Sequence, residues 1–200
     1  AFGNVEKLSS LLELGIVPNV SDRWGWSPCH FAVVSDELEC LQMLVDKKGD
    51  VALRDIRGWD MIHMSAWCGH DAILQYILEL RQIQDVDLLV GGEKNPTPIM
   101  NPLQWERRLG MHTSQIHDKN IFTAGGWRER IGLSSFAKNY YSCSPLHLAV
   151  LQSRASTVSL LLSKSADPTK GGYGNCFPLM SAVALGQLDI SRDLLNAIEP

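Results

Sequence analysis

The chain has 200 residues, of which 45% are apolar and 20% charged, a composition typical of an ordinary globular or repeat domain. It contains no apolar run long enough for a membrane-spanning helix, and its formal net charge of −4 argues against a general nucleic-acid binder. Five cysteines at scattered spacings, without a CxxC pair, favour free thiols in a reducing intracellular compartment, the cytoplasm or the nucleus. An organelle is the alternative if a targeting peptide was removed, because the chain starts at Ala1 without a methionine.

Charge is unevenly distributed along the chain. Residues 1–87 contain 7 Lys+Arg against 14 Asp+Glu, residues 88–138 contain 7 against 4, and residues 139–200 contain 4 against 4. The middle segment therefore differs from its flanks, and we predict that it forms a region of its own.

Two segments in the first half share one pattern, which recurs with a period of about 33 residues. "DRWGWSPCHFAV" begins at Asp22 and "DIRGWDMIHMSA" begins at Asp55. Each is followed by a helix-length apolar pattern, which contains an apolar pair at 44–45 in the first copy and at 77–78 in the second. A similar pair at 11–12 lies one period earlier, so the second half of another copy precedes them.

The same pattern returns in the last third of the chain. "CSPLHLAV" begins at Cys143 and "CFPLMSAV" at Cys176, again one period apart, and apolar pairs follow at 161–162 and 194–195. Each copy predicts a pair of short helices. Such a pair cannot bury its apolar face alone, so the copies are expected to stack on one another.

The middle of the chain interrupts this period. The separation of His63 and His147 exceeds one period by about 51 residues, which places an insertion at 88–138. A degenerate repeat around "PTPIMNP" followed by about 18 further residues is the competing count. We favour an irregular insertion, because Pro102 falls where a first helix should continue and the segment is punctuated by glycine and proline.

The motifs "SPLHLAV", "SPCHFAV" and "DRWG" resemble the ankyrin repeat, whose signature is Asp-x-x-Gly-x-Thr-Pro-Leu-His-x-Ala. The resemblance implies an all-α solenoid of stacked helix pairs. Three repeats would occupy 1–87 and two would occupy 139–200, with the insertion at 88–138 between them; the repeats are 1–21 (a half repeat), 22–54, 55–87, 139–171 and the shortened 172–200.

The sequence offers no strong catalytic or metal motif. Equivalent histidines of stacked repeats lie roughly 10 Å apart, too far to share a metal, and the resemblance implies that each one braces its own turn; they are His30, His63 and His147. Cys68 stands beside a histidine and an aspartate, but residues this close in sequence rarely face each other as nucleophile and base must. We therefore predict a protein that is not an enzyme and has no metal or cofactor.

Aromatic and arginine side chains concentrate where the resemblance places partner contacts: after the leading aspartate, after the glycine, and at the end of the first helix. Trp, Tyr and Arg often contribute most of the binding energy at protein interfaces, because they bury a large area while few of their rotatable bonds lose freedom. We predict a scaffold that binds a protein partner along an aromatic-rich concave face, without nucleic acid or a membrane span. The predicted contact residues are Arg23, Trp24, Trp26, Arg57, Trp59, Trp67, Tyr140, Tyr141 and Tyr173.

Three alternatives stay open at this stage. The insertion could fold back over the aromatic strip and hide it. The chain could be a structural subunit of a large multiprotein assembly, such as an organellar one, with its whole surface buried. An enzyme site could be formed by the insertion against the repeats, near His112, His117 or Asp118.

Overall fold

The computed structural model describes residues 5–22, 25–55, 58–81, 86–87, 143–170 and 176–198. Within these ranges the chain forms nine α-helices and no strand, as predicted for an all-α solenoid. They are α1 (Val5–Glu13), α2 (Pro28–Val34), α3 (Leu38–Asp46), α4 (Met61–Cys68), α5 (Asp71–Arg81), α6 (Pro145–Leu151), α7 (Ala155–Ser163), α8 (Pro178–Ala184) and α9 (Leu188–Ile198).

The first helix of each repeat begins at a signal that the sequence carries. A proline, which has no N–H to leave unsatisfied, opens α2, α6 and α8. α4 begins after Asp60 instead, whose carboxylate accepts hydrogen bonds from the backbone N–H groups of Ile62 (2.9 Å) and His63 (3.2 Å). The departure from Thr-Pro in this repeat is thus compensated by a stronger capping side chain.

A tight turn joins each first helix to its second helix. One residue of the turn has a left-handed backbone, with φ between 57° and 79°, at Asp36, Gly69, Ser153 and Gly186. The next residue returns its N–H to the first helix, as in the bonds from Glu37 to the Ala32 carbonyl (3.0 Å) and from Gln187 to the Ala182 carbonyl (2.9 Å). These bonds reverse the chain and set the two helices side by side.

The helices stack in two layers. The first helices pack in the order α2, α4, α6 and α8, while α1 packs on α3 and α7 packs between α5 and α9. The buried core runs through both layers and includes Leu41, Ile77, Leu146 and Leu161. None of the helices in the described ranges is both long and apolar enough to cross a membrane.

The stack is continuous between the third and fourth repeats. α4 packs directly on α6, and α5 on α7. The Thr157 hydroxyl donates a hydrogen bond to Asp71, and the Asp167 backbone N–H donates to the Asp87 carboxylate (2.9 Å). The predicted insertion at 88–138 lies outside the described residues.

Candidate partner-binding surface

The leading turns of repeats two and three hold a tryptophan in a fixed place. In repeat two, the Asp22 carboxylate accepts the Trp26 backbone N–H (2.9 Å), and the Asp22 N–H donates to the Trp26 carbonyl (2.9 Å). Asp55 makes the same two bonds with Trp59, at 3.0 and 2.8 Å. The glycine inside each turn has a left-handed φ of 80°, which only glycine adopts without strain.

Trp26 connects its own repeat to the next one. Its indole Nε1–H donates to the Asp55 carboxylate of repeat three (3.2 Å), and its ring meets Phe31 edge-on at 5.1 Å. The side chain is only 1% exposed. This indole therefore satisfies a buried carboxylate, and it cannot offer a large area to a partner.

Trp59 is also a core residue. It is 7% exposed, and its ring stands edge-on to Trp67 at 5.6 Å. The sequence-based prediction treated Trp26 and Trp59 as accessible aromatics, and the structure corrects this, because both indoles are enclosed by neighbouring side chains of the array.

Trp67 is half-buried and belongs to a row of equivalent residues. Each member closes or nearly closes a first helix, and successive first helices pack against one another. We call this surface the helix-end row; it consists of Val34, Trp67, Leu151 and Ala184. The first three are half-buried and the last is exposed.

The remaining predicted contact residues are Arg23, Trp24, Arg57, Tyr140, Tyr141 and Tyr173, which lie outside the described residues. Partner binding by them stays a prediction.

Two of the three repeat histidines, His30 and His63, brace their own turns, as the resemblance implies, whereas the ring of His147 does not. His30 Nδ1 lies 2.9 Å from the Ser27 hydroxyl, and His63 Nδ1 lies 2.8 Å from the Asp60 carboxylate. His147 instead reaches the next repeat: its Nε2 lies 2.8 Å from the Ser181 hydroxyl, and its buried Nδ1 makes no hydrogen bond with the described residues. Burial lowers the pKa of His147 to about 4, so this ring is neutral at pH 7.

The described residues hold no cluster of three or more His, Cys, Asp or Glu side chains that could bind a metal. His112, His117 and Asp118, the weak sequence candidates for an enzyme site, lie outside that part of the chain.

The cysteines are all free, and four of the five are buried. Burial raises the pKa of Cys68 and of Cys143 to about 12, and that of Cys29 to about 11. His70, the apparent base beside Cys68, directs its Nδ1 to the Val33 carbonyl at 2.8 Å. A carbonyl oxygen can only accept, so this nitrogen carries the proton. The Cys68 thiol is buried and stays protonated at neutral pH, so it is not activated as a nucleophile.

Sequence reasoning missed the role of the residue that follows the left-handed turn residue. His70 donates to the carbonyl of Val33 in the preceding repeat, and Gln187 donates to the carbonyl of Val150 in its preceding repeat (2.9 Å). Aligning the repeat copies reveals this position, because it holds His70, Arg154 and Gln187 in three repeats and Glu37 in the fourth.

Sequence reasoning also missed an open groove of about 320 Å³ between α1, α2 and α3. It lies on the flank of α2 opposite α4 and is lined mainly by apolar side chains.

Short helix pairs that stack in two layers, each opened by a proline or aspartate and closed by a left-handed turn, define a helical repeat solenoid. A family model for ankyrin repeats matches residues 1–99 as three copies, and a single-repeat model matches residues 141–172. The chain belongs to the ankyrin repeat family, whose arrays are protein–protein interaction modules and are typically non-catalytic.

Several human proteins are similar to this chain. Ankyrin repeat and SOCS box protein 3 is 29% identical over 190 residues, which is 94% of this chain and 33% of that protein. SH3 and multiple ankyrin repeat domains protein 2 is 34% identical over 76 residues, 38% of this chain and 4% of that protein. Protein phosphatase 1 regulatory subunit 27 is 34% identical over 61 residues, 30% of this chain and 40% of that protein. The chain thus spans about a third of the length of the first of these relatives.

Proposed function

We propose that the chain is a non-catalytic recognition module that binds a protein partner across the helix-end row. The observation that carries the proposal is the row itself: apolar residues at one place in four stacked repeats, with Val34, Trp67 and Leu151 each leaving part of the side chain uncovered. A contiguous, partly exposed apolar strip on a repeat array is a typical contact surface for another protein.

Trp67 is the expected centre of the contact. Its ring packs edge-on against the buried Trp59, so its position is set before a partner arrives. Burying the rest of an indole that is already held costs little additional side-chain entropy. Truncating such a residue typically costs a complex about 2 kcal/mol or more.

Four buried ionisable groups support a non-catalytic role. His147 is neutral at pH 7, and the thiols of Cys29, Cys68 and Cys143 are protonated there. None of these groups is poised to exchange a proton near neutral pH. The free thiols also support a reducing intracellular compartment as the place where the binding occurs.

Site-specific photo-crosslinking tests the proposal. Gln152 is half-buried beside Leu151 of the row, whereas Gln75 is exposed on the second-helix layer. A benzophenone amino acid is placed at Gln152 in one variant and at Gln75 in the matched control, and each is irradiated in native extract. We expect a protein crosslink from position 152 that is lost when Trp67→Ala is added, and none from position 75.

Two results would contradict the proposal. Equal crosslinking from positions 152 and 75 would indicate a subunit buried on all sides of a larger assembly. A crosslink at 152 that survives Trp67→Ala, with helicity unchanged by circular dichroism, would remove the helix-end row from the contact.

A further inference from the structure

The turn that follows each member of the helix-end row carries a different charge in each repeat. The three residues after the row member are Ser35, Asp36 and Glu37 in repeat two; Cys68, Gly69 and His70 in repeat three; Gln152, Ser153 and Arg154 in repeat four; and Leu185, Gly186 and Gln187 in repeat five. Carboxylates therefore border the row at repeat two and at none of the other three turns.

Asp36 is the exposed carboxylate of this pair. Its side chain is 61% exposed, whereas Glu37 is half-buried. The position itself lies at the surface inside the array as well, because Ser153, its equivalent in repeat four, is exposed although α6 has a first helix packed on both sides. The exposure of Asp36 is thus a property of the turn and not of an end of the array.

The carboxylate of Asp36 is available to a further hydrogen-bond donor. Its Oδ1 lies 3.8 Å from His70 Nδ1, which is too far for a hydrogen bond. That nitrogen directs its proton to the carbonyl of Val33 at 2.8 Å instead. The carboxylate therefore faces solvent with its capacity to accept hydrogen bonds from a bound partner.

Asp36 lies beside two apolar members of the row. It follows Val34 by two residues in the chain, and its charge also reaches the end of α4. Burial raises the pKa of Cys68, which is adjacent to Trp67, to about 12, and the negative charge of Asp36 adds to that increase against the opposite effect of the Arg154 cation. A partner side chain that reaches Asp36 is thus close to both Val34 and Trp67.

We propose that the partner segment bound across the helix-end row carries a lysine or arginine that pairs with Asp36, next to apolar side chains that pack on Val34 and Trp67. The inference rests on the proposed function and adds the charge of the partner to it. Residues 1–87 contain 7 Lys+Arg against 14 Asp+Glu, so the surrounding field also attracts a cationic segment. An acidic segment is repelled at the same place.

Selection from a library of short random peptides displayed on phage tests the inference with a defined probe. Phage that bind the Trp67→Ala variant are removed first, and the remainder are selected on the wild-type chain, so that the peptides kept are those that need the helix-end row. Circular dichroism checks the helicity of Trp67→Ala, and Val34→Ala replaces it if the helicity is lower. We expect the selected peptides to be enriched in lysine or arginine close to an apolar residue, and depleted in aspartate and glutamate.

Asp36→Asn, with Glu39→Gln as control, locates the cation. Each variant removes one exposed carboxylate from the same part of the surface, and asparagine adopts the left-handed φ of 58° at position 36 as aspartate does. Calorimetry with synthetic copies of the selected peptides should show binding about fivefold weaker for Asp36→Asn at low salt, the upper range for an exposed ion pair, and less than about twofold weaker for Glu39→Gln. The difference between wild type and Asp36→Asn should shrink at high salt, because salt screens an exposed pair.

The outcomes separate this inference from the proposed function. Row-dependent peptides without enriched cations, or with equal affinity for Asp36→Asn and wild type, would overturn the inference and leave the proposed function standing. Equal weakening by Asp36→Asn and Glu39→Gln would also overturn it, because the peptides would then sense only the net charge of the surface. If no selected peptide depends on Trp67 or Val34, the helix-end row is not a binding surface and both proposals fail.

Discussion

Repeats four and five have similar sequences, yet equivalent residues are buried in repeat four and exposed in repeat five. His147 is 3% exposed and Val150 is fully buried, whereas their equivalents in the next repeat, Met180 and Val183, are 56% and 64% exposed. α6 lies between α4 and α8, but α8 has a neighbouring first helix only on one side in the described chain. In a stacked array the neighbour, more than the residue pattern, determines what a side chain contributes to stability.

The largest expected effect comes from equivalent leucines. Leu146 is fully buried and Leu179 is only partly buried. We expect Leu146→Ala to lower the free energy of unfolding by about 3 kcal/mol and Leu179→Ala by about 1 kcal/mol, because an enclosed site leaves a cavity that cannot relax. Urea denaturation checks both variants, and equal costs would contradict a difference between repeats four and five.

The pH dependence should also distinguish the two repeats. Burial lowers the pKa of His147 from 6.5 to about 4, so the unfolded chain binds the proton more readily between these values. The contribution of His147 to the free energy of unfolding is therefore fully present above about pH 6.5. It falls by up to about 3 kcal/mol as the pH is lowered towards 4.

His147→Met, which introduces the residue that repeat five has, should flatten this part of the pH profile even if it lowers stability at pH 7. Denaturation midpoints at several pH values between 7 and 4 give the slope of stability against pH for wild type and for His147→Met. An unchanged slope would assign the acid sensitivity to other groups.

Two glycines at equivalent places in repeats three and five allow the cost of backbone strain to be compared with the cost of a steric clash. Gly69 and Gly186 both have left-handed φ angles, 79° and 70°. A Cβ at Gly69 would lie 2.7 Å from Cδ of Arg154, whereas at Gly186 it would meet nothing within 4 Å. We expect Gly186→Ala to cost about 1 kcal/mol and Gly69→Ala about 2 kcal/mol. Thermal unfolding of both variants gives the difference, and equal costs would mean that Arg154 moves aside freely.

The smallest expected effect is a gain in stability. Ser165 has a left-handed φ of 63°, which costs a residue with a side chain more than glycine. Ser165→Gly should stabilise the chain by about 0.5 kcal/mol, after allowing for the greater freedom of glycine in the unfolded state. Ser159→Gly, in the middle of α7, is the control with the opposite expected sign, because glycine disfavours a helix interior.

The period of the sequence was sufficient to predict the fold. The first helices of neighbouring repeats begin one period apart. α2 and α4 begin at Pro28 and Met61, and α6 and α8 begin at Pro145 and Pro178. Proline and N-cap signals lie next to each of these starts, so local physical chemistry and period agree.

The surface was less predictable, because it depends on contacts between repeats. Trp26 looked like a partner contact until its indole was found bonded to Asp55, which is 29 residues away in the next repeat. Thr157 and Asp71 meet across 86 residues of sequence, and no local pattern indicates that contact. The sequence alone shows that Glu37 stands where the later repeats have residues with N–H donors. Only the hydrogen bonds of His70 and Gln187 in the structure show what those donors do.

The most direct test of the central claim is the affinity of the crosslinked partner for three forms of the chain: wild type, Trp67→Ala and Gln75→Ala. If the partner lies on the helix-end row, Trp67→Ala should weaken binding about 30-fold, equivalent to about 2 kcal/mol, while Gln75→Ala stays within about twofold of wild type. Equal affinities for all three, with helicity intact, would contradict the account and place recognition elsewhere on the array.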